Sequence, residues 1–174
     1  QEGEMSFTGL LQSFVGLKSD EDVPGISINR NGKTLMTGPS QRIMDLSEVP
    51  SPYTMGLFDH LDEMYPGKIW NAVIETNRGC PFMCTFCDWG GTTFSKVKKF
   101  GLERIEQELE WMGQQRIEMV TNTDANFGIF KDRDMEITDM LIRTKEKHGF
   151  PVLFDTNWSK NATVQLVDMA VKLM

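Results

Sequence analysis

The sequence predicts an α/β chain organised around a parallel sheet, and three observations lead there. Short apolar runs with β-branched residues recur at residues 69–76, 117–121 and 151–155, the pattern of strands buried on both faces. Each run is followed by a segment whose apolar residues repeat at helical spacing. The resulting order of strand, helix, strand, helix, strand, helix requires parallel pairing through right-handed crossovers.

The elements follow in chain order. Phe7, Leu10, Leu11 and Phe14 form an amphipathic stretch, ended by a Ser/Asp/Glu-rich turn at residues 19–22 and by Pro24-Gly25. Residues 26–28 and 34–36 flank Asn31-Gly32, a strong hairpin signal. Pro50-Ser51-Pro52-Tyr53 reads as an extended connector. After the first strand at 69–76, Leu102, Ile105, Leu109 and Met112 predict an amphipathic helix beyond Gly101. The second strand spans 117–121. A second helix is expected from Asp134 as N-cap to Lys147, with Ile137, Met140 and Leu141 inward and Gly149 as terminator. The third strand, 151–155, leads to a third helix from about Ala162, carrying Val164, Val167, Ala170 and Val171.

Composition bounds the function classes. The chain has 174 residues, a net charge of -7 and 40% hydrophobic content, values typical of a globular protein. No apolar run is long enough to span a membrane, and no signal peptide is visible. The acidic balance speaks against a nucleic-acid backbone as partner, and the local basic group Lys96, Lys98 and Lys99 reads as a solvated loop. The twelve methionines read as core.

The chemistry concentrates in one place. All three cysteines, Cys80, Cys84 and Cys87, stand in a C-x3-C-x2-C loop directly after the first strand. Their odd number excludes a closed disulfide framework. A zinc site wants four tetrahedral ligands, and the two histidines, His60 and His148, stand in no zinc-like spacing to the loop. A redox pair at Cys84 and Cys87 leaves Cys80 unexplained. Ferredoxin-type carriers hold each cubane with four cysteines, so three thiols point to a [4Fe-4S] cluster with one open iron.

The run Arg-Gly-Cys-Pro-Phe-Met-Cys-Thr-Phe-Cys, residues 78–87, resembles the radical S-adenosylmethionine (radical SAM) superfamily. The resemblance implies a partial (β/α) barrel with the cysteines after its first strand, and it implies Cys80, Cys84 and Cys87 as ligands to three irons. In that superfamily S-adenosylmethionine chelates the fourth iron, and the reduced cluster cleaves it to a 5'-deoxyadenosyl radical that abstracts hydrogen from substrate. The resemblance places Phe86 against the adenine, the alternative being a core position. Many members carry Gly-Gly-Glu after the second strand to bind the amino group of S-adenosylmethionine. Here Asp124 and Asn126 occupy that stretch as candidate cofactor-binding residues, or else as turn formers. Thr156, Asn157 and Trp158 hold the equivalent rim after the third strand, where the alternative is a helix cap.

The upstream segment is similar to radical SAM proteins with an N-terminal cobalamin-binding domain, through its Glu-Gly-Glu start, the Pro-Gly-Ile and Asn-Gly hairpin, and the Pro-x-Pro-Tyr connector. That resemblance divides the chain into residues 1–18, the tail of an upstream cobalamin-binding-like domain, 19–67, a linker with the hairpin, and 68–174, the first half of a radical SAM core. Three strand–helix units, where the superfamily has six, make the chain an expected piece of a longer enzyme, inactive alone. The implied activity is cobalamin-dependent methyl transfer or rearrangement on a small-molecule substrate, with a reductant such as flavodoxin or ferredoxin, in the cytoplasm. A methylthiotransferase is disfavoured because Asp-Trp-Gly-Gly follows Cys87 where that family usually has an Ile-Pro pair. The alternative class is a non-catalytic iron–sulfur or zinc module.

Overall fold

The structure is a computed structural model that describes residues 2–87, 96–161 and 163–174. It divides into two units, Gln1–Val49 and Pro50–Met174. The first unit holds helix α1 (Glu4–Phe14) and a hairpin of β1 (Ser27–Arg30) and β2 (Lys33–Met36). Asn31 and Gly32 both have positive φ, 53° and 77°, and Arg30 pairs with Lys33. This is the two-residue turn that Asn-Gly favours. Gly9 lets α1 approach Val23, since a Cβ there would stand 2.9 Å from the Val23 Cγ1. Phe7, Leu11 and Phe14 of the amphipathic stretch remain exposed.

The second unit begins with successive turns instead of the extended connector expected at Pro50. The Met55 amide donates to the Ser51 carbonyl at 3.2 Å, the Leu57 amide to Pro52 at 3.3 Å, and a short helix α2 (Leu61–Met64) follows. Aromatic packing explains the folding back. The Tyr53 ring lies 4.9 Å from Trp111 and 5.6 Å from Phe58. The Tyr53 hydroxyl donates to the Val73 carbonyl at 2.6 Å and accepts from its amide at 3.1 Å. Backbone groups of an outer strand are thereby satisfied without a further strand.

That strand is β3 (Asn71–Ile74). After it come a two-residue ladder of β4 (Asn77–Arg78) and β5 (Lys98–Lys99), helix α3 (Leu102–Gln114), β6 (Met119–Phe127), α4 (Lys131–His148), β7 (Leu153–Trp158) and α5 (Val164–Leu173). The sheet order is β3-β6-β7 with both pairings parallel, as the alternation predicts. Ala72, Ile74 and Val120 are buried with Ile105, Leu109 and Met112 of α3 and Ile137, Met140 and Leu141 of α4. Gly149 ends α4 in the left-handed region, φ 77°.

Several expectations are corrected. The second strand does not stop at Thr121: β6 absorbs the polar run to Phe127, and its register against β7 shifts between Asn122 and Phe127. Asp134 is not the N-cap of α4. It lies in the first turn, where one carboxylate oxygen accepts from the Gly128 and Phe130 amides, each at 2.9 Å, satisfying free amides at the helix start from inside. In α5 the buried residues are Leu166 and Met169, whereas Val164, Val167 and Val171 are exposed. The Thr163 hydroxyl caps the helix from the Leu166 amide at 3.2 Å, and Leu166 and Met169 face Gly128. Ala162, the expected start, lies outside the described residues. Lys98 and Lys99 belong to the ladder rather than a loop, with the Lys99 ammonium 3.7 Å from the Phe130 ring centroid. Met36, Met44, Met55 and Met64 are exposed. No helix among the described residues is long and apolar enough to cross a membrane.

Leu109 is 1% exposed. Leu109→Ala is expected to cost about 2–5 kcal/mol by loss of transfer energy and creation of a cavity, read as a lower midpoint in chemical denaturation. A loss below about 1 kcal/mol would mean that this helix–sheet contact is not core.

Candidate metal centre

The cysteine loop leaves the sheet at the end of β3 and is closed at its base. β4 pairs antiparallel with β5, joining Asn77 to Lys99 and Arg78 to Lys98, and the Phe100 amide donates to the Thr76 carbonyl at 3.0 Å. The sequence reading contained no such ladder, because two-residue strands leave no periodicity. Arg133 joins the same two points. One guanidinium nitrogen donates to both the Thr76 and Phe100 carbonyls, at 2.9 Å each. Burial pulls the Arg133 pKa below its ordinary value, opposed by the negative charges of Asp134 and Asp124.

Asp124 fixes the strand end. β6 pairs with β3 as far as Ile74 opposite Asn122, and the rest of β6 runs beside the chain leading into the loop. The Asp124 Oδ1 accepts from the Thr76 amide at 2.7 Å and the Asn77 amide at 2.9 Å. Its Oδ2 accepts from the Asn77 Nδ2 at 2.6 Å and from the Thr76 hydroxyl. Burial pushes its carboxyl above the ordinary range, against the pull of these donors. Both oxygens are saturated, which leaves neither for an amino group from a ligand. Neither Asp124 nor Asn126 is in a turn; both are strand residues.

Within the loop, Gly79 takes a positive φ of 118°, a conformation open to glycine. The Cys87 amide donates to the Cys84 carbonyl at 3.1 Å, so Cys84 and Cys87 share one turn. Cys80 is buried, Cys84 half-buried and Cys87 exposed. Among the described residues no three His, Cys, Asp or Glu side chains gather in metal-holding geometry, so the three thiols are near in sequence without converging. Two sulfurs face nitrogen donors: Asn126 Nδ2 lies 3.1 Å from Cys80 Sγ, and Lys160 Nζ lies 2.7 Å from Cys84 Sγ and 4.1 Å from the Phe82 ring centroid. Phe86 is 91% exposed, so the core alternative for it does not hold. Thr156 accepts from Asn122 Nδ2 at 3.3 Å, and Trp158 packs on Phe127 at 5.6 Å. Residues 88–91, on which the methylthiotransferase comparison rested, lie outside the described residues.

The donor set fits an iron–sulfur group. It offers three soft thiol sulfurs in one short loop, with N–H donors aimed at two of them as a ligating sulfur accepts. Sequence reasoning did not find Thr76, Asn77, Arg133 or Lys160. Each acts through backbone or sulfur atoms brought close by folding, and no motif marks it.

Comparison with known proteins finds relatives in sequence and in fold. The chain is 36% identical over 172 residues to the cobalamin-dependent radical SAM methyltransferase TokK of Streptomyces tokunonensis, covering 97% of this chain and 25% of TokK. It is 35% identical to 2-(S-pantetheinyl)-carbapenam-3-carboxylate methyltransferase of Streptantibioticus cattleyicolor, with the same coverage. The fold matches the radical S-adenosylmethionine methyltransferase TsrM of Kitasatospora setae at a TM-score of 0.62 and 14% identity, over 98% of this chain and 34% of that one. It also matches the cobalamin-dependent S-adenosylmethionine radical enzyme OxsB at 0.62 and 19%, over 99% and 25%. No family model matches. Over nearly its whole length the chain is thus similar to one part of cobalamin-dependent radical SAM methyltransferases. It spans about a quarter of the length of the curated relatives it matches.

Removal of the Asp124 carboxylate leaves two backbone amides and the Asn77 side chain buried without an acceptor. At about 1–3 kcal/mol for each unsatisfied buried donor, Asp124→Ala is expected to lose at least about 2 kcal/mol in urea unfolding. A loss within about 0.5 kcal/mol would show that the carboxylate does not hold the loop base.

Proposed function

We propose that the chain is a segment of a cobalamin-dependent radical SAM methyltransferase, comprising the first strand–helix units of its partial barrel and the cysteine loop that holds the [4Fe-4S] cluster. The observation that carries this reading is the three-thiol loop at the end of the first parallel strand, hung on a saturated buried carboxylate, in a chain 36% identical to TokK over 97% of its length. In this assignment Cys80, Cys84 and Cys87 bind three irons, and the fourth stays open for S-adenosylmethionine. When bound, the cluster supplies the electron that cleaves S-adenosylmethionine, and cobalamin carries the methyl group.

The residues of this chain bind and orient. Asp124 and Arg133 hold the two ends of the loop. Phe86, exposed on the turn between Cys84 and Cys87, offers a ring to the adenine. Thr156 and Asn157 lie on β7 toward its C-terminal end, the side on which such barrels place their ligands. Asp124, offered by the sequence reading as a cofactor ligand, is reassigned to positioning, because its oxygens are taken by Thr76 and Asn77. The division at residues 18 and 67, the small-molecule substrate, the external one-electron reductant and the cytoplasmic setting remain part of this reading.

Anaerobic reconstitution of the enzyme that contains this chain is expected to load about four irons and four sulfides, with a visible spectrum altered by S-adenosylmethionine. Cys84→Ala is expected to abolish both the cluster and S-adenosylmethionine cleavage. Zinc in place of iron, or cleavage retained in the variant, refutes the assignment.

A further inference from the structure

We propose that Asn126 raises the reduction potential of the cluster by donating an N–H···S hydrogen bond to Cys80. The inference rests on the assignment of Cys80 as an iron ligand. Asn126 Nδ2 stands 3.1 Å from Cys80 Sγ, and the two residues are only 6% and 9% exposed. Among the described residues no other sulfur of the loop has a donor so enclosed.

The donor is held by the strand that carries it. Two residues upstream Asp124 binds Thr76 and Asn77; one residue downstream Phe127 pairs with Trp158, and its carbonyl accepts from the Ser159 amide at 2.7 Å. The amide dipole is therefore fixed before any electron arrives, and little water screens it. An electron added to the cluster increases the negative charge on the ligand sulfurs. A fixed N–H aimed at one of them stabilises the reduced state more than the oxidised state, so the potential rises. The electron comes from a low-potential one-electron donor, and no covalent bond forms or breaks in this step. Lys160 makes the corresponding contact with Cys84 at 2.7 Å, but it is exposed, where water and salt weaken its effect.

The test is a redox titration followed by electron paramagnetic resonance on the anaerobically reconstituted enzyme containing this chain. Asn126→Leu keeps the side-chain size and removes the donor. Iron content is expected to stay the same. At the wild-type midpoint the ratio of reduced to oxidised cluster is expected to fall about tenfold, which is 59 mV for a one-electron couple. A full cluster with an unchanged or raised potential overturns the inference while leaving the ligand assignment intact. If the leucine variant assembles no cluster, Asn126→Ala carries the test: it removes the donor without adding bulk or charge, so its potential is expected to fall as well, and an unchanged or raised value overturns the proposal. Iron retained at four per chain in Cys80→Ala would instead refute the ligand assignment itself.

Discussion

One buried carboxylate governs the geometry on which this chain depends. Asp124 accepts from two consecutive backbone amides and two side chains at the point where β3 stops pairing with β6. An open strand end is costly when its amides are buried without partners. By extending past its neighbour, β6 supplies an acceptor in place of the missing ladder. The direction in which the chain leaves the sheet follows from that arrangement, and so does the position of Cys80.

The loop is consequently built in two parts with different sources of order. Its base is fixed by the protein alone: the β4–β5 ladder, the Arg133 guanidinium across the Thr76 and Phe100 carbonyls, and the Asp124 acceptor. Farther along, Cys84 and Cys87 share one turn, and among the described residues their sulfurs are not gathered with Cys80. Metal–thiolate bonds provide folding energy of their own, so under the proposed assignment a cluster would gather the sulfurs over a base that the protein already fixes. This division also separates the roles of the polar residues on β6. Asp124 serves the backbone, and Asn126, on the same face, serves the sulfur.

The fold was legible to the extent that periodicity recorded it. The three parallel strands and three helices appear in the expected order, and Ile105, Leu109, Met112, Ile137 and Leu141 are buried as the spacing indicated. Asn31-Gly32 gave its hairpin because only a few residues tolerate two positive φ angles in a row. The sequence misled where polar residues were read as loop. Asn122, Asp124 and Asn126 alternate on one strand face, a period of two that looks like a turn when the side chains are Asn and Asp. Tyr53 was hidden by its prolines, which suggested extension although stacking against Trp111 favours folding back. Arg133 was illegible for another reason: it lies in a charged helix start, and only the tertiary fold brings the carbonyls of residues 76 and 100 to it.

The central claim is that the base of the cysteine loop is formed by the protein before any metal binds. Amide hydrogen exchange on the metal-free protein tests this most directly, read at Thr76, Asn77 and Phe100, whose amides donate to Asp124 and to the Thr76 carbonyl. Protection at these three amides comparable to that in the core of β6, present without iron, is the result expected. Exchange at unprotected rates until the cluster is loaded would contradict it, and would place the origin of this geometry in the metal instead of in Asp124.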